Sequence, residues 1–115
     1  MEDVVNRQGR KAAIAAYKER KPAYGVFAVI CGATGEAWVG CSRHLDTQQN
    51  GVWFALRHAT SPHASLQLAW SQHGEQAFRF EELERLREDF PEISRMDELK
   101  KRQALWRHRL QAAAL

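Results

Sequence analysis

The sequence predicts an α+β domain in which a three-stranded antiparallel sheet is flanked by helices, in the order α-β-β-α-α-β-α. Three observations lead there. Residues 24–31, YGVFAVIC, are a continuous apolar run rich in β-formers, the pattern of a buried strand. Ala33-Thr34-Gly35-Glu36 has hairpin-turn chemistry and leads into a return strand at 37–41, AWVGC. Most remaining apolar residues recur at helical spacing, with Phe78 and Phe80 alternating against Arg79 and Glu81 as a third strand at 77–83. Three strands cannot bury two faces alone, so the helices must pack on the sheet.

The elements follow in order. Residues 3–20 read as a helix, with Val5, Ala12, Ala13, Ala16 and Tyr17 on one stripe, Gly9 as a weak point and Pro22 as the stop. After the hairpin, a helix over 45–59 places Leu45, Gln49, Val52, Trp53 and Leu56 on one face, with Gly51 as an internal cost of about 1 kcal/mol. Ser61-Pro62 opens the next helix, with Ser61 as N-cap, and Gly74 closes it. Residues 84–93 read as irregular and charged. Ser94 with Asp97 resembles a capping box for the last helix, lined by Leu99, Gln103, Trp106 and Leu110. The tail QAAAL is expected to fray. One domain spans 1–115, with 1–22 as an N-terminal helical extension and 23–110 as the core.

Composition narrows the function classes. No apolar run approaches the roughly 18 residues of a membrane helix, and the opening MEDVVNRQGRKAAIAAY does not read as a signal peptide. A cytoplasmic protein without membrane partners is expected. Cys31 and Cys41 suggest no disulfide framework, and the Cys41–His44 pair lacks the further ligands of a zinc site. The net charge is +3, unevenly spread. Residues 1–22 and 95–109 are basic, and 75–92 is acidic. Basic ends around an acidic middle allow a polyanion-binding face. Solvated helix faces with internally paired charges give the same pattern, and charge alone favours that reading.

The hairpin carries a more specific signal. Gly25-Val26-Phe27 and Trp38-Val39-Gly40 resemble the two signature tripeptides of GIY-YIG nucleases, and the eleven residues from Phe27 to Trp38 match that family's spacing. Cys41-Ser42-Arg43-His44-Leu45 resembles the family's link into its first core helix. Ser65-Leu66-Gln67-Leu68-Ala69-Trp70, His73-Gly74-Glu75 and Phe78-Arg79-Phe80-Glu81 resemble a common family segment. Ala16-Tyr17-Lys18-Glu19-Arg20-Lys21-Pro22 resembles the leader of a bacterial subgroup, some of whose members are described as regulator-like. The resemblance runs from about residue 12 to residue 110.

What it implies is a chemistry and its loss. In the family, one Tyr assists water activation, a second orients the phosphate, an Arg stabilises its charge and a Glu holds one divalent metal ion. The matching positions here are Phe27, Trp38, Gln48 and Gln103. Loss of a general base costs about 10²–10⁴ in rate, and loss of one charge-stabilising donor about 10²–10³. The resemblance therefore implies a catalytically impaired domain that binds nucleic acid, DNA favoured, and needs no cofactor. Arg43, Asn50 and Arg57 near the expected cleft, and Lys18, Arg20 and Lys21 on the leader, are the candidate contacts. Two alternatives stand: an active endonuclease with an altered site, for which Mg²⁺ is the cofactor and Glu98 the nearest other carboxylate, and a protein-interaction module using the acidic segment 75–92. Phe27 and Trp38 read either as core aromatics or as a base-stacking surface. Gln103 reads either as a former metal position or as a half-buried structural amide.

Overall fold

The computed structural model describes residues 23–115. The leader helix expected over 3–20, with Lys18, Arg20 and Lys21, lies outside the described residues. The chain forms β1 (Gly25–Cys31), β2 (Ala37–Ser42), α1 (Leu45–Arg57), α2 (Ala64–His73), β3 (Phe78–Arg85), α3 (Arg95–Leu110) and β4 (Ala113–Ala114). The described residues thus carry one mixed sheet of four strands, in the order β3-β1-β2-β4. β1 pairs antiparallel with both β2 and β3, and β2 pairs in parallel with β4.

The apolar run of β1 is explained by its central place. Side chains alternate along a strand, so Phe27, Val29 and Cys31 join Trp38 and Phe78 in one core under α1 and α2. Val26, Ala28 and Ile30 point the other way and meet Val39, Leu83, Leu86, Leu99 and Trp106 beneath α3. Val26, Ala28 and Val29 are fully buried. The hairpin closes at Gly35, whose φ of +80° favours glycine. Gly25 is needed for a different reason. A Cβ there would overlap the Leu45 side chain and the Glu84 carbonyl, so the start of β1 lies tight against α1 and β3.

Several boundaries differ from the sequence reading. The capping box at Ser94 does not form, because a 3₁₀ turn at Glu92–Ser94 leads into α3 and makes no side-chain cap. Ser61 does not cap α2, which begins at Ala64. Its hydroxyl accepts instead from the His63 N–H at 3.2 Å. β3 runs two residues beyond the expected end and carries a bulge, since Val26 faces Glu84 while Phe27 faces Glu82. The tail expected to fray is a fourth strand. Gln111 takes a left-handed conformation, φ 50°, and turns residues 112–115 back along β2.

The glycines give a paired test. Gly25→Ala should destabilise the fold by roughly 1–3 kcal/mol through overpacking. Gly51→Ala, where an added Cβ meets nothing within 4 Å, should stabilise by up to about 1 kcal/mol through helix propensity. Denaturant unfolding of both variants checks the contrast.

Candidate functional site

Phe27 and Trp38 lie on the same sheet face, since Phe27 pairs with Gly40 and Val29 with Trp38. Each is held in a chain of rings. Phe27 stacks on Phe80 at 5.1 Å, Phe80 meets Trp53 edge-on at 6.1 Å, Trp53 meets Trp70 at 5.4 Å, and Trp70 meets Phe78 at 5.2 Å. Trp38 contacts Phe78 at 6.3 Å and donates its indole N–H to Ser65 Oγ at 2.9 Å. Phe27 is 3% exposed and Trp38 2%. Neither ring has a face open to a nucleobase, so of their two readings the core role is the one this packing fits.

A cleft of about 290 Å³ opens beside them. Phe27 and Gly40 form its floor, Gln48, Gly51, Val52 and Ala55 of α1 one wall, and residues 61–63 and Leu115 the rest. Gly40 is a close-approach glycine: a Cβ there would sit 2.7 Å from Phe27 Cζ and 3.0 Å from Leu115 Cβ. Gln48 is oriented from behind. Ser42 Oγ donates to Gln48 Oε1 at 2.7 Å and accepts from the His44 N–H at 2.9 Å. Ser42 is buried, and it is a part of the site that the sequence reading missed. A polar residue at the end of an apolar strand, six before a glutamine, was the available signal.

Gln103 does not face the cleft as a ligand. Its amide nitrogen donates to Val39 O at 2.8 Å, with a longer contact to Leu115 O at 3.4 Å. The amide thus joins α3 to the outer strands, and the half-buried structural amide is the reading this geometry fits. The structure therefore brings Phe27 and Gln48 together at the cleft. It sets Trp38 behind in the core and Gln103 beyond the sheet edge, touching the cleft only through Leu115.

The divalent ion implied by the family resemblance does not fit this arrangement. A metal needs an acceptor at position 103, whereas the Gln103 amide turns its donor end to two carbonyl oxygens. No group of three or more His, Cys, Asp or Glu among the described residues could hold a metal ion. Glu98 is engaged elsewhere, bonded to Arg102 at 2.9 Å beside Glu84, which also takes the Trp106 N–H at 2.7 Å.

The candidate phosphate contacts divide. Arg57 grips Glu75 through two bonds, at 2.6 and 2.9 Å. That pairing holds the Glu75 carboxyl below its ordinary range and raises the guanidinium. Arg43 and Asn50 are exposed and make no ion pair or hydrogen bond among the described residues. Burial pushes the Cys41 thiol up, while the nearby Lys100 charge pulls it down. Lys100 therefore lies close to Cys41, near the end of β2 just before Ser42 and Arg43.

The Gln103 geometry gives a signed test. Gln103→Glu should destabilise the fold by about 1–3 kcal/mol near neutral pH, because a carboxylate would face carbonyl oxygens. Folding should raise that carboxyl's pKa. The deficit should then vanish below the ordinary Glu value of about 4.3 and grow as pH rises through it. Urea midpoints across pH measure this.

No family model matches the sequence, and no curated protein matches it. Among solved structures, the chain is similar to a mutant form of the catalytic domain of intron endonuclease I-TevI. The TM-score is 0.66 and the identity 17%, covering 77% of this chain and 84% of that one. At that identity the likeness establishes the fold alone: the chain carries the GIY-YIG fold, α+β, with the tripeptides Gly25-Val26-Phe27 and Trp38-Val39-Gly40 on its central hairpin.

Proposed function

We infer that this protein is a nucleic-acid-binding module on a nuclease fold, contacting the phosphate backbone without the fold's ordinary cleavage chemistry. What supports the reading, beside the fold, is the charge pairing. Glu75, Glu81, Glu82, Glu84 and Asp89 of the acidic segment each pair with an arginine: Arg57, Arg79, Arg85, Arg102 and Arg87. Those carboxylates do not form a free acidic face. Lys100 and Lys101 of α3 and Arg43 beyond β2 are exposed and have no ion pair among the described residues. Arg107 and Arg109 are exposed on the same helix, Arg109 lying 5.2 Å over the Trp106 ring. The cationic surplus of the described residues therefore gathers on α3 and the end of β2.

The cleft supports the second half of the reading. Gln48 at its wall is neutral, Phe27 at its floor has no hydroxyl, and Gln103 serves a carbonyl. With the family's base, clamp and metal ligand all replaced, the family's ordinary route to in-line hydrolysis lacks the groups at those positions that activate water and hold developing charge. The nucleic acid is recognised by phosphate contacts, which favour DNA or RNA without sequence preference.

Binding to duplex, branched and single-stranded DNA at low and moderate salt tests this. Log K should fall linearly with log salt, by about 0.9 per phosphate contact on duplex DNA. The double substitution Lys100→Glu, Lys101→Glu should weaken binding about tenfold or more at low salt. Incubation with Mg²⁺ or Mn²⁺ should leave the DNA intact, and millimolar Mg²⁺ should leave the Tm within about 1 °C, since an ion with no site adds no stability. Absence of binding at low salt would overturn the nucleic-acid reading and favour a protein partner. Metal-dependent cleavage would favour the altered-site endonuclease.

A further inference from the structure

α1 carries one aromatic that the core does not use. Trp53 and Leu56 face inward and are buried, whereas Phe54 is 63% exposed. A single exposed apolar side chain is ordinary on a protein surface. What sets this one apart is its neighbour one turn back. Gly51 has no positive φ, and among the described residues a Cβ there would meet nothing within 4 Å. Neither backbone nor packing therefore requires a glycine, and it costs α1 about 1 kcal/mol of helix propensity relative to Ala. Such a glycine is explained where another group must approach the backbone closely.

Helix side chains lean toward the helix N-terminus, so residues three and four apart meet on one face. His58 lies four residues beyond Phe54 and meets it with ring centroids 4.3 Å apart. The Phe54 ring leans in its turn over Asn50 and Gly51. There the missing side chain of Gly51 leaves a flat step at the outer lip of the cleft, where Gly51 is itself exposed. Asn50 is exposed and makes no hydrogen bond among the described residues, so its amide is available both to donate and to accept.

The charges around this step favour a polyanion. The one carboxylate of α1, Asp46, is bonded to Arg85 at 2.8 Å, and its one arginine, Arg57, to Glu75. Arg43, two residues before α1, has no ion pair among the described residues, and Lys100 lies close to Cys41 just before it. A planar group with hydrogen-bonding edges, carried on a phosphate backbone, matches this set.

We propose that Phe54, Gly51 and Asn50 form a shelf on the outside of α1 that stacks an unpaired nucleobase, with the phosphates of the same strand running past Arg43 and Lys100. This deepens the nucleic-acid reading above and rests on it. Duplex bases are already stacked on one another, so the shelf selects single-stranded or splayed segments. Stacking on an aromatic ring tolerates any base, and the base lies on the helix surface without entering the cleft.

Binding at low salt of three ligands of equal length tests the shelf: an oligothymidylate, the same sugar-phosphate strand without bases, and a duplex. The unaltered chain should bind the oligothymidylate more tightly than the abasic strand. Phe54→Ala should weaken oligothymidylate binding about fivefold to a hundredfold, the range of base–aromatic stacking, and leave the other two ligands within about twofold. Phe54→Tyr should restore the affinity. Gly51→Leu, which fills the step, should weaken oligothymidylate binding without lowering the Tm, since Leu is the better helix former. The double substitution Lys100→Glu, Lys101→Glu should weaken all three ligands. Oligothymidylate binding unchanged in Phe54→Ala or in Gly51→Leu would overturn the shelf while leaving the nucleic-acid reading intact, and would turn this face toward a protein partner. No binding of any of the three by the unaltered chain would overturn that reading and the shelf with it.

Discussion

β1 has no exposed face, and most of the molecule follows from that. A strand buried on both faces, with only Ile30 half-buried, must have a partner on each edge and a layer on each side. β2 and β3 supply the edges. α1 and α2 cover Phe27, Val29 and Cys31, and α3 covers Val26 and Ala28. Full burial of an aromatic or branched side chain contributes about 1.5–3 kcal/mol, so this strand anchors two cores at once. Gly25 allows the tight seat against Leu45, which fixes where α1 starts and hence where Gln48 stands over the sheet.

Each residue at a position where the family resemblance implies chemistry has a structural occupation here. The Phe27 ring is stacked, and the Trp38 N–H is satisfied by a serine hydroxyl. Gln48 is oriented by Ser42, and Gln103 holds a backbone carbonyl of the outer strand. A half-buried amide satisfied by a carbonyl contributes on the order of 1 kcal/mol, and a carboxylate in its place would be repelled. All four positions thus carry uncharged side chains, which supports the proposed reading of a domain that binds without cleaving. The charged side chains that remain lie outside the cleft. Those of segment 75–92 are mostly paired with arginines, and the exposed surplus sits on α3.

Much of this was legible in the sequence where local chemistry and tertiary demand agree. The run YGVFAVIC could only be a buried strand, and Gly35 marked its turn. The tripeptides with their spacing pointed to the fold that the structural comparison supports. Other features depend on contacts distant in sequence. Ser61 and Ser94 look like helix caps, yet the chain spends the first on a turn and enters α3 through a 3₁₀ turn past the second. Ala113 and Ala114 carry weak β-propensity, and what makes a strand of them is the edge of β2 around Gly40, far earlier in the chain. The hold of Glu75 on Arg57 is equally invisible locally, because Glu75 stands in the 3₁₀ turn that follows α2. Gln103 lies in α3, and its partner, Val39 O, is invisible to periodicity.

The central claim is that nucleic acid meets the cations outside the cleft and does not enter it. Amide chemical-shift mapping with a short DNA duplex at low salt tests this most directly. The account predicts that the shifts concentrate at Lys100, Lys101 and Arg43, while Gly40, Gln48 and Val52 stay unmoved. Shifts centred on Phe27, Gly40 and Gln48, with α3 silent, would contradict it.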